Sequence, residues 1–193
     1  YSEAIQNGLI DGQKKEEAMQ IITREAARME RLTNEFMQLA RQDDVAQTEH
    51  EPLVLAETIR DAICLVTQQA TSKHIEIVQN FDEALIITGD EQKQKQVWIN
   101  LLDNAIKFSP ENKKISINLS KEDDAIVITM KNYGRTVPPE QISRIFDKFY
   151  QGDESHGTTG NGLGLPMVKR IVELHNGDID VFCTEEPAVS FHI

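Results

Sequence analysis

Ile22, Met29 and Phe36 recur every seven residues, and Leu32 and Leu39 trace a second row that runs back through Glu25, its one polar intruder. A seven-residue apolar repeat makes a narrow seam along one side of a helix. The stripe that a helix lays against a globular core is broader. The flanking composition favours helix as well. Residues 13–43 are rich in Glu, Lys, Arg, Ala, Met and Gln, all good helix formers, and the first 45 residues hold no proline and only the glycines Gly8 and Gly12. Tyr1–Ile10 reads as the tail of a helix already running, and Gly8, Asp11 and Gly12 supply turn chemistry after it. One pair of helices leaves such a seam open to water. A second copy of the pair closes it as a dimeric four-helix bundle. A helical hairpin packed on its own domain is the plainer alternative.

Beyond this hairpin (1–45) and a polar linker (46–51), the pattern changes. Ile59, Ile63, Val66 and Ala70 predict a helix over Ala56–Ser72, and Ile75, Ile77 and Phe81 alternate as a strand. Ala84–Thr88 reads as a second strand, ending at Gly89-Asp90, and Gln92–Phe108 as a helix stopped by Ser109-Pro110. Ile115, Ile117 and Leu119, then Ile126, Ile128 and Met130, alternate on either side of an acidic turn, as in a hairpin with one buried face. A short helix over Pro139–Phe146, a polar loop over Gln151–Gly162 and a helix over Leu165–Leu174 follow. Strands at Ile179–Cys183 and Val189–Ile193 form the last hairpin. The order predicts an α+β fold over 52–193, a two-layer α/β sandwich with an antiparallel-rich sheet and helices on one face.

Charge and composition narrow the function classes. The 193 residues carry 32 acidic against 20 basic side chains, a net charge of −12. Nucleic acid is therefore not an expected partner, since that needs a basic footprint. The longest stretch without a charged residue or histidine is Gly157–Val168, twelve residues, whereas a membrane helix needs about 20 apolar ones. Cys64 and Cys183 have no metal-ligand spacing and make no disulfide framework, so a reducing, cytosolic setting is expected.

Three segments carry chemistry. In Asn100–Phe108, the residues Asn100, Asn104 and Lys107 fall at i, i+4 and i+7, on one helix face, while Leu101, Leu102, Ala105 and Phe108 fall mainly elsewhere. Two amides and an amine on one stripe suit a divalent cation and phosphate; a solvated outer face explains them equally well. In Asn132-Tyr133-Gly134, a strand ends in an amide able to give and take hydrogen bonds, before a glycine that lets another backbone come close; an ordinary turn suffices here too. In Gly160-Asn161-Gly162-Leu163-Gly164-Leu165-Pro166, glycines precede a helix start, where the backbone attracts anions. Pro166 suits a first helical turn. The spacing is neither a Walker A loop nor a dinucleotide fingerprint.

Taken in order, these segments resemble the catalytic, ATP-binding domain of bacterial two-component sensor histidine kinases, in the wider GHKL family with the gyrase, Hsp90 and MutL ATPases. Asn100–Ser109 is similar to the N box, Asn132–Pro138 to a divergent G1 box, Phe146–Tyr150 to the F box and Gly160–Leu165 to the G2 box. The resemblance runs from Pro52 to Ile193. Residues 1–45 resemble the end of helix one and all of helix two of the dimerisation and histidine-phosphotransfer domain.

The resemblance implies a Bergerat-type sandwich holding ATP and Mg²⁺. Asn104 would ligate the metal, Asn100 would support it or the phosphates, and Lys107 would contact phosphate. Asn132 would take the place of the acid that usually meets the adenine amino group, with Gly134 and Val137 lining the base pocket. Gly162, Leu163 and Gly164 would meet the phosphates, and Gln151–Thr159 would be the lid. The γ-phosphoryl group would pass to a histidine and then to an aspartate of a response-regulator receiver domain.

The family's histidine motif is missing: His50, His74, His156, His175 and His192 all fall outside any such motif. The chain is therefore expected to be a piece starting just after the phosphoacceptor. It would form a homodimer through residues 1–45 and be the cytoplasmic part of a sensor whose membrane segments lie elsewhere. Asn132 for an aspartate, Thr136 for a glycine and Gln151 for an arginine depart from the family pattern. They keep two alternatives in view, a GHKL-type ATPase and a degenerate nucleotide-sensing dimerisation module.

Overall fold

The computed structural model describes residues 12, 14–23, 25, 26, 29, 33, 51–134, 136–151, 162–183 and 188–193. The chain divides into two compact units, Tyr1–Val45 and Ala46–Ile193. In the first, residues 14–23, 25, 26, 29 and 33 are helical. The hydroxyls of Thr23 and Thr33 donate to the carbonyls of Met19 and Met29, one turn back, at 2.9 Å each, the local bond that reconciles threonine with a helix. Ala18 is buried, whereas Met29 is 69% exposed. Leu32, Phe36 and Leu39 of the heptad rows lie outside the described residues.

The second unit opens with strand β1 (Glu51–Val54) and helix α1 (Leu55–Ser72). The apolar spacing of α1 buries Leu55, Ala56, Ile59, Ala62, Ile63, Val66 and Ala70. Strands β2 (Glu76–Phe81) and β3 (Ile86–Gly89) lead to helix α2 (Glu91–Phe108). The Asp90 carboxylate caps α2, accepting from the Lys93 amide at 3.0 Å. Ser109-Pro110 ends the helix, because a residue before proline is driven to extended backbone; Ser109 sits at φ −80°, ψ 136°. Strands β4 (Lys114–Glu122) and β5 (Ala125–Tyr133) form a hairpin across Asp123-Asp124, with Asp123 at φ 50°. Helix α3 (Pro139–Ile142), helix α4 (Gly164–Leu174) and strands β6 (Asp180–Cys183) and β7 (Ala188–His192) complete the unit.

The main sheet runs β2-β4-β5-β7-β6, and β1 pairs separately with β3. On β4, Ile115, Ile117 and Leu119 are buried while Lys114 and Asn118 are exposed, so only one face is covered. Helix α2 packs on α1, α4 and β5, and α1 reaches β2. Trp98 lies at the centre, 1% exposed. Its indole Nε1 donates to Thr58 Oγ1 at 3.2 Å, and that hydroxyl donates to the Leu55 carbonyl at 2.9 Å. The core thus contains a polar relay with every step made.

The layers match the expected two-layer sandwich, with three differences. The sheet is mixed, because β2 runs parallel to β4. Residues 51–54, where the sequence pattern ends the linker at 51 and predicts no strand, form β1; Pro52 is tolerated because the two-stranded sheet has only edge strands. The helix expected over 139–146 stops at Ile142, with turn hydrogen bonds from Arg144 to Gln141 and from Asp147 to Arg144 after it. None of its residues is buried, and a short helix without packing does not propagate.

The relay gives a direct test. Thr58→Val keeps the shape but strands the indole N–H, which should cost about 1–3 kcal/mol of stability. Urea unfolding followed by the fluorescence of Trp98 reads the loss, and an unchanged midpoint would mean the relay is energetically idle.

Candidate functional site

Helix α2 buries Val97, Trp98, Leu101, Leu102, Ala105 and Ile106, which leaves Asn100, Asn104 and Lys107 half-buried along its other side. Asn100 is held by its neighbours. Its Oδ1 accepts from Gln96 Nε2 at 3.2 Å, and its Nδ2 lies 3.6 Å from the Met167 sulfur on α4. Asn104 makes no side-chain hydrogen bond among the described residues. Burial draws the Lys107 ammonium below the usual lysine range, and its Nζ stands 4.8 Å from the ring centroid of Phe108.

Two glycines approach this helix, one near each end of the stripe. A Cβ on Gly164, at the start of α4, would sit 3.7 Å from Asn100 Oδ1, in ordinary contact. A Cβ on Gly134, just past β5, would sit 2.3 Å from the Phe108 carbonyl oxygen. Only glycine allows that second approach. The structure therefore brings the stripe together with both glycine-bearing segments singled out in the sequence.

The remaining candidates fall around these contacts. Asn132 is 3% exposed on the helix-facing side of β5, and its side chain makes no hydrogen bond among the described residues. The Val137 carbonyl accepts from the Cys183 thiol at 3.3 Å, tying the segment after Gly134 to β6. Gly162 sits at φ +65° with its carbonyl accepting from the Phe149 amide at 2.8 Å. Leu163 is 1% exposed at the α4 N-cap, which has no side-chain cap. The uncapped first turn leaves backbone N–H groups for an anion. Thr136 is exposed and Gln151 half-buried. Most of the lid expected over Gln151–Thr159 lies outside the described residues, as does His156.

Three supporting residues escaped sequence reasoning. Gln96 is four residues before Asn100 and could have been read from helical spacing. Lys73, at the end of α1, donates to the carbonyls of Ile106, Lys107 and Ser109 at 2.8, 3.0 and 3.2 Å. It thereby satisfies the open carbonyls of α2 and complements the negative end of that helix, and no local pattern announces it. Ser109 is 3% exposed, and its Oγ is buried without a hydrogen-bond partner among the described residues. No group of three or more His, Cys, Asp or Glu able to hold a metal occurs among the described residues. A neutral amide oxygen such as that of Asn104 fits a Mg²⁺ whose other ligands are substrate phosphates and water.

The two glycines should respond oppositely to alanine. Gly134→Ala forces the chain off the Phe108 carbonyl and should cost about 1–3 kcal/mol. Gly164→Ala should leave stability within about 1 kcal/mol of the parent or slightly raise it. Paired thermal melts decide the point, and equal losses would show that the close approach at Gly134 is not a constraint.

Residues 89–193 match the family described as histidine kinase-, DNA gyrase B-, and HSP90-like ATPases. Sensor protein SrrB of Staphylococcus aureus (strain MRSA252) is 29% identical over 185 residues, which make up 94% of this chain and 32% of that protein. The chain thus spans about a third of the length of such curated relatives. Among solved structures, the catalytic domain of histidine kinase ThkA is 31% identical with a TM-score of 0.67, covering 75% of this chain and 93% of that one. ThkA in complex with response regulator protein TrrA is 27% identical with a TM-score of 0.75, covering 97% of this chain and 53% of that one. With its helix stripe and both glycine approaches in place, the chain belongs to the family of histidine kinase-, DNA gyrase B- and HSP90-like ATPases and carries a catalytic domain of the two-component sensor histidine kinase type.

Proposed function

We propose that the second unit binds ATP with Mg²⁺ along α2 and serves as the kinase core of a two-component sensor. One observation supports this most: the Asn100–Lys107 stripe is met by Gly164 near one end and by Gly134 at the other. Asn104 would offer its amide oxygen to the metal, which when bound neutralises phosphate charge and aligns the reacting group. Asn100, fixed by Gln96 and Met167, would orient the phosphates, and Lys107 would contact them. Gly162, Leu163 and Gly164 would present backbone N–H groups to the same anion. Asn132 would meet the base edge, with Gly134 and Val137 as pocket walls.

In the transfer, the bond between the γ-phosphorus and the β–γ bridging oxygen would break, leaving ADP, and a phosphorus–nitrogen bond would form on a histidine imidazole. The imidazole N–H proton leaves to solvent or base. The phosphoryl group then passes to an aspartate carboxylate of a response-regulator receiver domain. The domain contributes alignment and electrostatics rather than a covalent intermediate of its own.

Residues 1–45 would form the homodimer, and the exposed Met29 is the kind of apolar surface such an interface covers. No helix among the described residues is long and apolar enough to cross a membrane. We place the chain on the cytoplasmic side of a sensor anchored through other segments.

Calorimetric titration with Mg²⁺ and a non-hydrolysable ATP analogue tests the core claim. Binding should weaken at least about tenfold in Asn104→Ala, the scale set by losing a hydrogen bond or ligand to a charged group. Equal binding by the variant would favour the degenerate module. Lys107 adds a proton signature. Its free-state pKa lies below the ordinary lysine value, so its burial costs stability while the ammonium is charged, and that cost fades as pH rises through the depressed value. A bound phosphate raises the pKa again. Nucleotide binding just below the ordinary lysine range should therefore take up protons, seen as a dependence of the binding enthalpy on buffer ionisation, and Lys107→Arg should abolish it. For assembly, Met29→Glu should shift the mass in sedimentation equilibrium from dimer toward monomer. An unchanged mass would assign Met29 elsewhere.

A further inference from the structure

We propose that Asn132 makes the base subsite tolerant of 6-oxopurines, so that inosine or guanine nucleotides bind there alongside adenine nucleotides. The inference rests on the nucleotide-binding reading above and concerns which base that site accepts.

The backbone of Asn132 is fixed by strand pairing, opposite Ile115 on β4 and Val189 on β7. Its side chain is a different matter. It lies on the helix-facing side of the sheet, 3% exposed, with no hydrogen bond among the described residues to decide which way the amide points. The terminal torsion of asparagine is broad and two-fold, so an unheld amide turns over freely.

That freedom matters because the two purine classes present the same edge with roles exchanged. Adenine offers an N6–H donor beside the N1 acceptor. A 6-oxopurine offers the O6 acceptor beside an N1–H donor. An amide carries one acceptor and one donor, so it pairs with either edge by turning over. An ionised carboxylate at the same place only accepts. It would accept from the adenine amino group; against a 6-oxopurine it could accept from N1–H but could not donate to O6, which it would repel. With water largely excluded from the position, a mismatched edge cannot be rescued by solvent, so the residue type decides selectivity.

A second polar group points the same way. Ser109 Oγ is buried without a hydrogen-bond partner among the described residues, and the Ser109 Cα lies 3.5 Å from where a Gly134 Cβ would be, two residues along the chain from Asn132. A buried polar atom left open calls for a ligand or an ordered water. A hydroxyl rotates to donate or to accept. Both polar groups at this seam can therefore donate as well as accept, and neither leaves O6 facing a group that can only repel it.

The test compares ADP, IDP and GDP, each with Mg²⁺, by calorimetry on the full chain. IDP isolates the 6-position, because it carries O6 and N1–H without the 2-amino group that GDP adds. The expected result is an IDP affinity within about tenfold of ADP, with Asn132→Asp lowering IDP relative to ADP by about 10–100-fold, the range of one bidentate base contact. The parent-chain comparison needs no variant and stands even where Asn132→Asp fails to fold. IDP and GDP both binding more than about a hundredfold more weakly than ADP would overturn the inference and leave the nucleotide site intact. No binding of any of the three would overturn the nucleotide site, and this inference with it.

Discussion

The second unit depends on a single helix buried on one side and kept open on the other. Helix α2 contributes Trp98 and five further apolar residues to the core and contacts α1, α4 and β5. That apolar commitment fixes its rotation about its own axis, and the rotation decides where Asn100, Asn104 and Lys107 face. Its ends are fixed as well. Asp90 caps the first turn, and the Lys73 ammonium collects three carbonyls at the last. A polar stripe on a helix held at both ends is preorganised, so a ligand bound there loses less free energy to ordering the protein.

The two glycine approaches differ in kind. At Gly134 the constraint is steric, since a side chain would collide with the Phe108 carbonyl. Gly164 leaves ordinary room, so the packing there comes from Asn100 and Met167 rather than from the lack of a Cβ. Gly162 is a third case. It is left-handed at φ +65° and bonded to Phe149, a bulky residue itself at φ 65°. Non-glycine residues seldom hold that conformation without surrounding structure to enforce it. Two left-handed residues thus meet where the Phe146–Tyr150 segment is bonded to the residue just before the α4 N-cap.

The parts of the fold legible in sequence were those with a period. Helices α1, α2 and α4 and the β4–β5 hairpin follow from apolar spacing, and their ends from Asp90, Ser109-Pro110 and Asn176-Gly177. Strand β1 was not legible, because Glu51-Pro52 carries turn chemistry and only pairing with β3 makes it a strand. The parallel β2–β4 pair is set by tertiary contact, which no local pattern encodes. At the site, the Asn100–Lys107 stripe and the glycines could be read because helical spacing and glycine punctuation are local. Lys73 acts from 33 to 36 residues away, and Ser109 matters through burial, so neither left a local signal.

Charge bears on how such a site would hold an anion. A chain of net charge −12 repels a polyphosphate at long range, and that field is screened within about 10 Å at 0.1 M salt. Attraction must then come from short-range, oriented groups. The chain offers the uncapped N-terminus of α4, the partly buried Lys107 and neutral amides at Asn100 and Asn104. Amides suit this setting, because they offer oxygen to a cation and N–H to a phosphate without adding to the negative charge. The same logic extends to Asn132. A carboxylate buried there without a partner would carry a desolvation cost, whereas an amide carries a smaller one. Neutrality at Asn132 thus favours the folded state and, in the proposed base subsite, would leave no charge facing the base edge.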